Sequence, residues 1–253
     1  MPFKRTDKGK INWPKGISKK DKAFCRKFYK AIDKYWERNV VCLDSSNTVI
    51  ACSAGLDSCV LAHVYAQAKV LKDINGPTKM VYVNHGLRFD SETKKDESHV
   101  RDFAKCLDFN SESIKVHVDL NGNVQALARE ARYDALADCK TNDEVPHTVL
   151  LAHHANDVAE SILFQTITGR EVVGISSELH WKSTSGKKTL FIRPLLGFTR
   201  EDIRRYATIW GLDWVEDSSN QCTKYSRNKI RHDLIPWIEE NMNPGIVKML
   251  AKL

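Results

Sequence analysis

Apolar positions along this chain fall into two kinds of run that alternate. Short, nearly continuous apolar stretches at 48–52, 80–84, 114–118 and 148–152 predict strands, the first reading Thr-Val-Ile-Ala-Cys and the last Thr-Val-Leu-Leu-Ala. Between them apolar residues recur every three or four positions, which predicts helices from 57 to 72, over 98–107, 124–139 and 156–168. The same spacing at Phe24, Phe28, Ala31, Ile32 and Tyr35 predicts an earlier helix, with Ser18 suited to cap it. Residues 1–18 are polar, carry Pro2, Gly9, Pro14 and Gly16, and read as irregular. The stretch 171–188, rich in serine, reads as loop; order resumes at 191–196 and a last helix is predicted over 200–210.

Strands that are apolar throughout, each followed by a helix, predict an α/β fold: a Rossmann-like parallel sheet with helices on both faces. Such sheets bind ligands beyond the carboxyl ends of their strands. The polar residues of interest stand just there, at 53–58, at Asn84-His85 and at His153-His154.

Composition narrows the class. With 253 residues, 42% of them apolar, the chain can bury a substantial core, and no run is long and apolar enough for a membrane span. The start, Met-Pro-Phe-Lys-Arg, lacks the apolar stretch of a secretion signal. Seven cysteines, none in a C-x-x-C pair, argue against a disulfide framework or a zinc or iron–sulfur site and point to reduced thiols in the cytoplasm. Charge divides the chain: residues 1–46 hold 13 Lys/Arg against 5 Asp/Glu, and residues 47–253 hold 26 against 27. A basic, partly helical extension over 1–46 on a near-neutral domain at 47–253 fits a polyanionic partner, nucleic acid before membrane, or a solvated tail that keeps the protein soluble. Lys19, Lys20, Lys27 and Lys30 cluster on its helix and are candidate nucleic-acid contacts.

Several segments carry chemistry. Ser53-Ala54-Gly55-Leu56-Asp57-Ser58 joins strand to helix through small residues, so backbone N–H groups and a helix N-terminus can meet an anion there. It is neither the G-x-x-x-x-G-K-[ST] nor the G-x-G-x-x-G pattern. An Asp at the head of a phosphate-cradling helix suggests a divalent cation between them. His153, Asp157 and Glu160 share one helix face, which fits N-terminal charge complementing the dipole, a metal site, or a pocket for an ammonium group. Arg129 and Arg132 lie on an amphipathic helix, and Arg227 and Arg231 stand one turn apart, able to clamp phosphates.

The segment 53–58 resembles the PP-loop signature S-G-G-x-D-S of the ATP pyrophosphatases. Four further segments resemble the tRNA(Ile)-lysidine synthetases in order and spacing. They are Val83-Asn84-His85-Gly86-Leu87-Arg88; Ala128-Arg129-Glu130-Ala131-Arg132-Tyr133; His153 through Glu160; and Arg193-Pro194-Leu195-Leu196 leading to 216–220 and Arg227-Asn228. The resemblance implies a PP-loop ATPase (adenine nucleotide alpha-hydrolase-like) fold. It also implies a cytoplasmic ligase, as a homodimer, that uses ATP and Mg²⁺ to join L-lysine to the wobble cytosine of a tRNA(Ile) with CAU anticodon. It places ATP on Ser53, Ala54, Gly55, Leu56, Asp57 and Ser58, with Asp57 near Mg²⁺ and catalytic together with Arg227. It seats lysine or Mg²⁺ on His153, Asp157 and Glu160, and tRNA on His85, Arg129, Arg132 and Arg231. Ala54 stands where the signature has Gly, which requires a negative φ there. Asn156 stands where many members have Asp. Because this chain stops at Leu253, the resemblance is to a short form without the family's usual C-terminal domains. Its rivals are another PP-loop tRNA modifier, such as a 2-thiolating enzyme, and a non-catalytic tRNA-binding remnant.

Overall fold

A computed structural model of the chain describes residues 11–38, 47–74, 76–86, 89–119, 121–139, 147–216 and 226–253. Six strands form one sheet: β1 (Asn47–Ala51), β2 (Thr78–Asn84), β3 (Asn110–Lys115), β4 (His147–Leu150), β5 (Glu178–Lys182) and β6 (Lys188–Ile192), in the order β3-β2-β1-β4-β6-β5. All pairings are parallel except β5 with β6. The helices are α1 (Lys19–Arg38), α2 (Leu56–Lys72), α3 (Asp90–Cys106), α4 (Val124–Asp138), α5 (Ala155–Ile167) and α6 (Arg200–Trp210). A helical C-terminal stretch follows: α7 (Ser226–Lys229), a π turn (Ile230–Leu234), α8 (Ile235–Asn241) and α9 (Ile246–Leu250).

The apolar strands explain the layering. Neighbouring residues of a strand face opposite sides of the sheet. Ile50, Met80, Leu150 and Ile192 therefore pack into one core with α1, α2, α3 and α6, while Val49, Val81, Val149 and Phe191 pack into the other with α4. Helices do cover both faces. Helix α2 is buried on nearly every side, as its run of Ala, Val, Leu and Cys requires. A third core joins α5 to the C-terminal helices through Val158, Ile162, Ile230 and Val247.

Helix α1 is capped by Ser18, whose Oγ accepts from the Asp21 N–H at 3.0 Å. Its apolar stripe sinks into the first core: Phe28 stacks on Phe198 with ring centroids 3.9 Å apart, and Tyr29 is buried beside Tyr206. The charge boundary after residue 46 is thus not a packing boundary. Beneath α1 runs a buried polar chain in which His63 Nδ1 and Tyr206 Oη are 2.9 Å apart and Tyr206 donates to Tyr29 Oη at 3.3 Å.

Three elements differ from the sequence expectation. β3 begins at Asn110 rather than 114, because an edge strand needs only backbone pairing with β2; its polar residues other than the half-buried Glu112 stay exposed. Helix α3 begins at Asp90 rather than 98, since its charged first half lies against solvent and buries only Thr93 and Asp96 there. Within the expected loop 171–188 the chain forms β5, whose Leu179 and Trp181 pack on the second core. The hairpin to β6 turns at Gly186 (φ 90°), and Ser183 and Ser185 donate to Asp138 at 2.7 and 2.6 Å.

Burial pushes the His63 imidazole down from its ordinary value of 6.5 to about 3, so it stays neutral in the fold. The unfolded chain takes up a proton at this residue near pH 6.5 and the folded chain does not, so its contribution to stability falls as pH drops through that window. The expected loss approaches 1.4 kcal/mol per pH unit between about 6 and 4. Urea denaturation across this range should show a slope shallower by about that amount in His63→Gln than in the parent; parallel slopes would refute the buried neutral assignment.

Candidate active site

Strand order reverses between β1 and β4, which is where open α/β sheets hold ligands. A crevice of about 550 Å³ opens there, lined by the residues that leave β1 (Cys52, Ser53, Gly55, Asp57), β2 (Asn84, His85) and β4 (His153, Asp157), with Arg132 of α4.

The turn from β1 into α2 is built by its own hydroxyls. Ser58 Oγ donates to the Gly55 carbonyl at 2.9 Å and accepts from the Ser53 N–H at 3.2 Å, while Ser53 Oγ lies 3.4 Å from it. Ala54 has φ 65°, in the left-handed region, contrary to the negative φ expected. The turn imposes this: the Ala54 carbonyl accepts from the Val215 N–H at 2.9 Å and its methyl group is fully buried. The conformation costs an alanine about 1–2 kcal/mol. Leu56 opens α2 and is itself buried in the core.

At one end of the crevice carboxylates converge. His154 is 97% buried, with Nε2 3.6 Å from Asp57 Oδ2 and 3.7 Å from Asp157 Oδ2. Asp157 accepts from the His154 N–H at 2.8 Å, and His154 Nδ1 accepts from the Asn156 N–H at 3.2 Å, which closes a capping box at the start of α5. Behind it Glu160 is buried and takes a bidentate pair from Arg231, Nε to Oε1 at 2.6 Å and Nη2 to Oε2 at 3.0 Å; Arg231 also stands 3.6 Å from Asp157. Burial opposes a charge on His154, but Asp57 and the nearby Asp157 and Glu160 outweigh it and raise its pKa. Burial likewise opposes a charge on Asp57, yet His154, with Arg200 and Arg231 close by, holds its carboxyl below the usual carboxylate value. Asp57 Oδ1 is buried and has no hydrogen-bond partner.

The other end is cationic. Arg193, 3% exposed, donates to the Ser176 carbonyl at 2.5 Å and to Tyr133 Oη at 3.1 Å. Tyr133 Oη accepts a second bond, from Arg129 at 3.0 Å. Arg132 lies over the Tyr133 ring with its Nε buried and unbonded. His153 stands among them: burial, then the charges of Arg132, Arg193 and Arg129, hold its imidazole well below 6.5, and its Nδ1 is buried without a partner. The two ends differ because His154 is extended (φ −134°, ψ −180°), so it and His153 project to opposite sides.

The sequence expectations sort accordingly. The structure brings Ser53, Gly55, Asp57, Ser58, His85, Arg132, His153 and Asp157 into one crevice wall. It separates His153 from the carboxylates and puts His154 in its stead. Arg231, expected to face tRNA, is turned inward, because the buried Glu160 carboxylate requires a counter-charge. Arg227 lies outside the crevice wall, its guanidinium 6.0 Å from the Phe164 ring, and Arg129 is exposed and also outside that wall. Asn156 Oδ1 accepts from the Arg200 N–H at 2.9 Å, tying α5 to α6. Arg88 and 217–220 of the expected motifs lie outside the described residues. Sequence reasoning placed His154 at a strand end and Arg193 in a family segment but gave neither a role in the site.

Residues 20–238 match the family model of a PP-loop domain. The tRNA(Ile)-lysidine synthase of Wolbachia sp. subsp. Brugia malayi (strain TRS) is 36% identical over 190 residues, covering 74% of this chain and 43% of that protein. The tRNA(Ile)-lysidine synthase of Coxiella burnetii is 34% identical over 210 residues, covering 82% and 44%. The chain therefore spans a little under half the length of these curated relatives. Among solved structures the U34-tRNA thiolase NcsA from Methanococcus maripaludis superposes with a TM-score of 0.67 at 19% identity, covering 91% of this chain and 78% of that one, which is a likeness of fold. The chain belongs to the PP-loop family.

The buried pair at the acidic end yields a stability prediction. Arg231→Met leaves the Glu160 charge uncompensated and should cost about 3–5 kcal/mol, and Glu160→Gln should cost less. Combined, the two should cost well under their sum, since the uncompensated charge is gone. Additive losses in urea denaturation would contradict the pairing.

Proposed function

We propose that this PP-loop protein ligates lysine to a tRNA wobble cytosine with ATP, a reading supported by relatives named tRNA(Ile)-lysidine synthase. In the first step O2 of the cytosine attacks the α-phosphorus of ATP and pyrophosphate leaves. In the second the ε-amine of lysine attacks C2, a C–N bond forms, and AMP departs with the oxygen. The substrate is a tRNA(Ile) with a CAU anticodon.

The observation that carries this reading is the division of one crevice into an anion-seeking and a cation-seeking end beside a PP-loop turn. The backbone of 53–58 and the N-terminus of α2 suit the phosphates, and Arg132, with its unbonded Nε, adds a charged donor. Asp157, on the crevice wall, suits the α-ammonium of lysine, with Glu160 and Arg231 fixing its surroundings behind it. His153, neutral with a bare Nδ1, can accept the proton shed as the C–N bond forms.

Mg²⁺ fits at Asp57, whose Oδ1 is unbonded, and Mg²⁺ is commonly held by one or two carboxylates plus substrate phosphates. Among the described residues no group of three or more metal-binding side chains exists that would hold an ion without those phosphates. Such an ion would neutralise charge developing on the leaving pyrophosphate.

The test is release of pyrophosphate and incorporation of labelled lysine by the full chain. Both should require ATP and a CAU-anticodon transcript, and incorporation should require lysine. Asp57→Asn should abolish pyrophosphate release while shifting the melting temperature little. Asp157→Asn, which keeps the cap to His154, should raise KM for lysine about tenfold, equivalent to about 1.4 kcal/mol, and leave KM for ATP unchanged. Sulfur rather than lysine in the tRNA, or no turnover with any tRNA, would refute the assignment.

A further inference from the structure

Helix α1 segregates its residues by side. Cys25, Phe28, Tyr29 and Ile32 are buried, whereas Lys19, Lys20, Arg26, Lys27, Lys30 and Lys34 are exposed. At 100° per residue these six cations fall within an arc of about 120°, opposite the buried stripe. One ion pair marks the junction with α6, where Arg205 donates to Asp21 at 2.9 Å and its guanidinium lies 4.2 Å from the Phe24 ring. Beside it on α6, Arg204 is exposed, and one turn back Arg200 begins the helix, hydrogen-bonded through its N–H to Asn156 of α5. The positive charge of Arg200 acts on Asp57 in the crevice. The outer face of α1 thus presents six cations to solvent, while α6 meets the opposite side of the helix.

We propose that this face, Lys19, Lys20, Arg26, Lys27, Lys30 and Lys34 of α1, is a phosphate track that holds the backbone of the RNA substrate. The proposal rests on the tRNA reading above. It also supplies something that reading lacks, since residues 47–253 carry no positive excess to attract a polyanion over distance. An anionic membrane surface is the other polyanion in reach. The face does not suit it, because the cationic arc holds Ala23 as its one apolar residue and every larger apolar side chain of known position on α1 points into the core or its edge. Lysines that bind phosphates position a nucleic acid without reading its sequence, so the track predicts affinity with little base preference.

The experiment measures binding of the full chain to a CAU-anticodon tRNA transcript from low to moderate salt. It compares the parent with Lys20, Lys27, Lys30 and Lys34 changed together to Glu, and with the same four changed to Gln. Each phosphate left without its lysine should flatten the slope of log K against log salt by about 0.7–0.9. The Gln variant should therefore lose up to about three units of slope and at least tenfold in affinity near 0.1 M salt, and the Glu variant more. KM for tRNA should rise with kcat and KM for ATP unchanged. A parent that turns over tRNA while both variants keep its slope and affinity overturns the track and leaves the proposed reaction standing. A steep slope in the parent that the variants abolish, without pyrophosphate release, sustains the track and removes the reaction. Binding to phosphatidylserine vesicles in place of tRNA, abolished in the variants, overturns the RNA assignment of this face.

Discussion

Three carboxylates share one end of a partly buried crevice, and neutralising them is the constraint on which the site is built. Asp57 comes from the head of α2, and Asp157 and Glu160 come from the first two turns of α5. Left alone they would repel one another, and each would bear the cost of leaving water. His154, drawn into the cap of α5, serves Asp57 and Asp157 together. Arg231 crosses from the π turn to serve Glu160 and Asp157. The C-terminal helices are thereby fixed against α5 by charge as well as by their apolar contacts, and the order of the sheet fixes where both helices begin.

The same balancing of charge separates the two ends of the crevice. His153 and His154 are neighbours in sequence, yet one stands among arginines and the other among carboxylates. The extended backbone at the end of β4 sends successive side chains apart, so a single dipeptide contributes to both environments. A ligand with an anionic and a cationic part, or two ligands of opposite charge brought together, is what such a crevice accommodates. The phosphates of a nucleotide beside an amine are one such combination.

Much of this was legible in the sequence, and the exceptions have physical causes. β1, β2 and β4 were found within two residues at each end because both their faces are buried, and burial writes itself as continuous apolar runs. β3 and β5 are edge strands, held by backbone pairing and half-exposed, so their side chains carry a weaker imprint. The turn at 53–58 was legible because a tight strand-to-helix turn closed by its own hydroxyls takes small and hydroxylated residues. The left-handed Ala54 was not, since the bond from Val215 that helps impose it comes from far along the chain. The partnership of Arg231 with Glu160 spans 71 positions, and no local pattern reports it. The choice between His153 and His154 depended on the strand's exact end, which apolar patterning leaves uncertain by a residue or two.

The division of the crevice by charge is most directly tested by NMR titration of its two adjacent histidines in the full chain without ligands. His154 should titrate above 6.5, held charged by its carboxylates, while His153 should remain neutral to well below 6.5. Asp57→Asn should bring His154 down and leave His153 where it is. Two histidines titrating together near 6.5, or in the reverse order, would contradict the account.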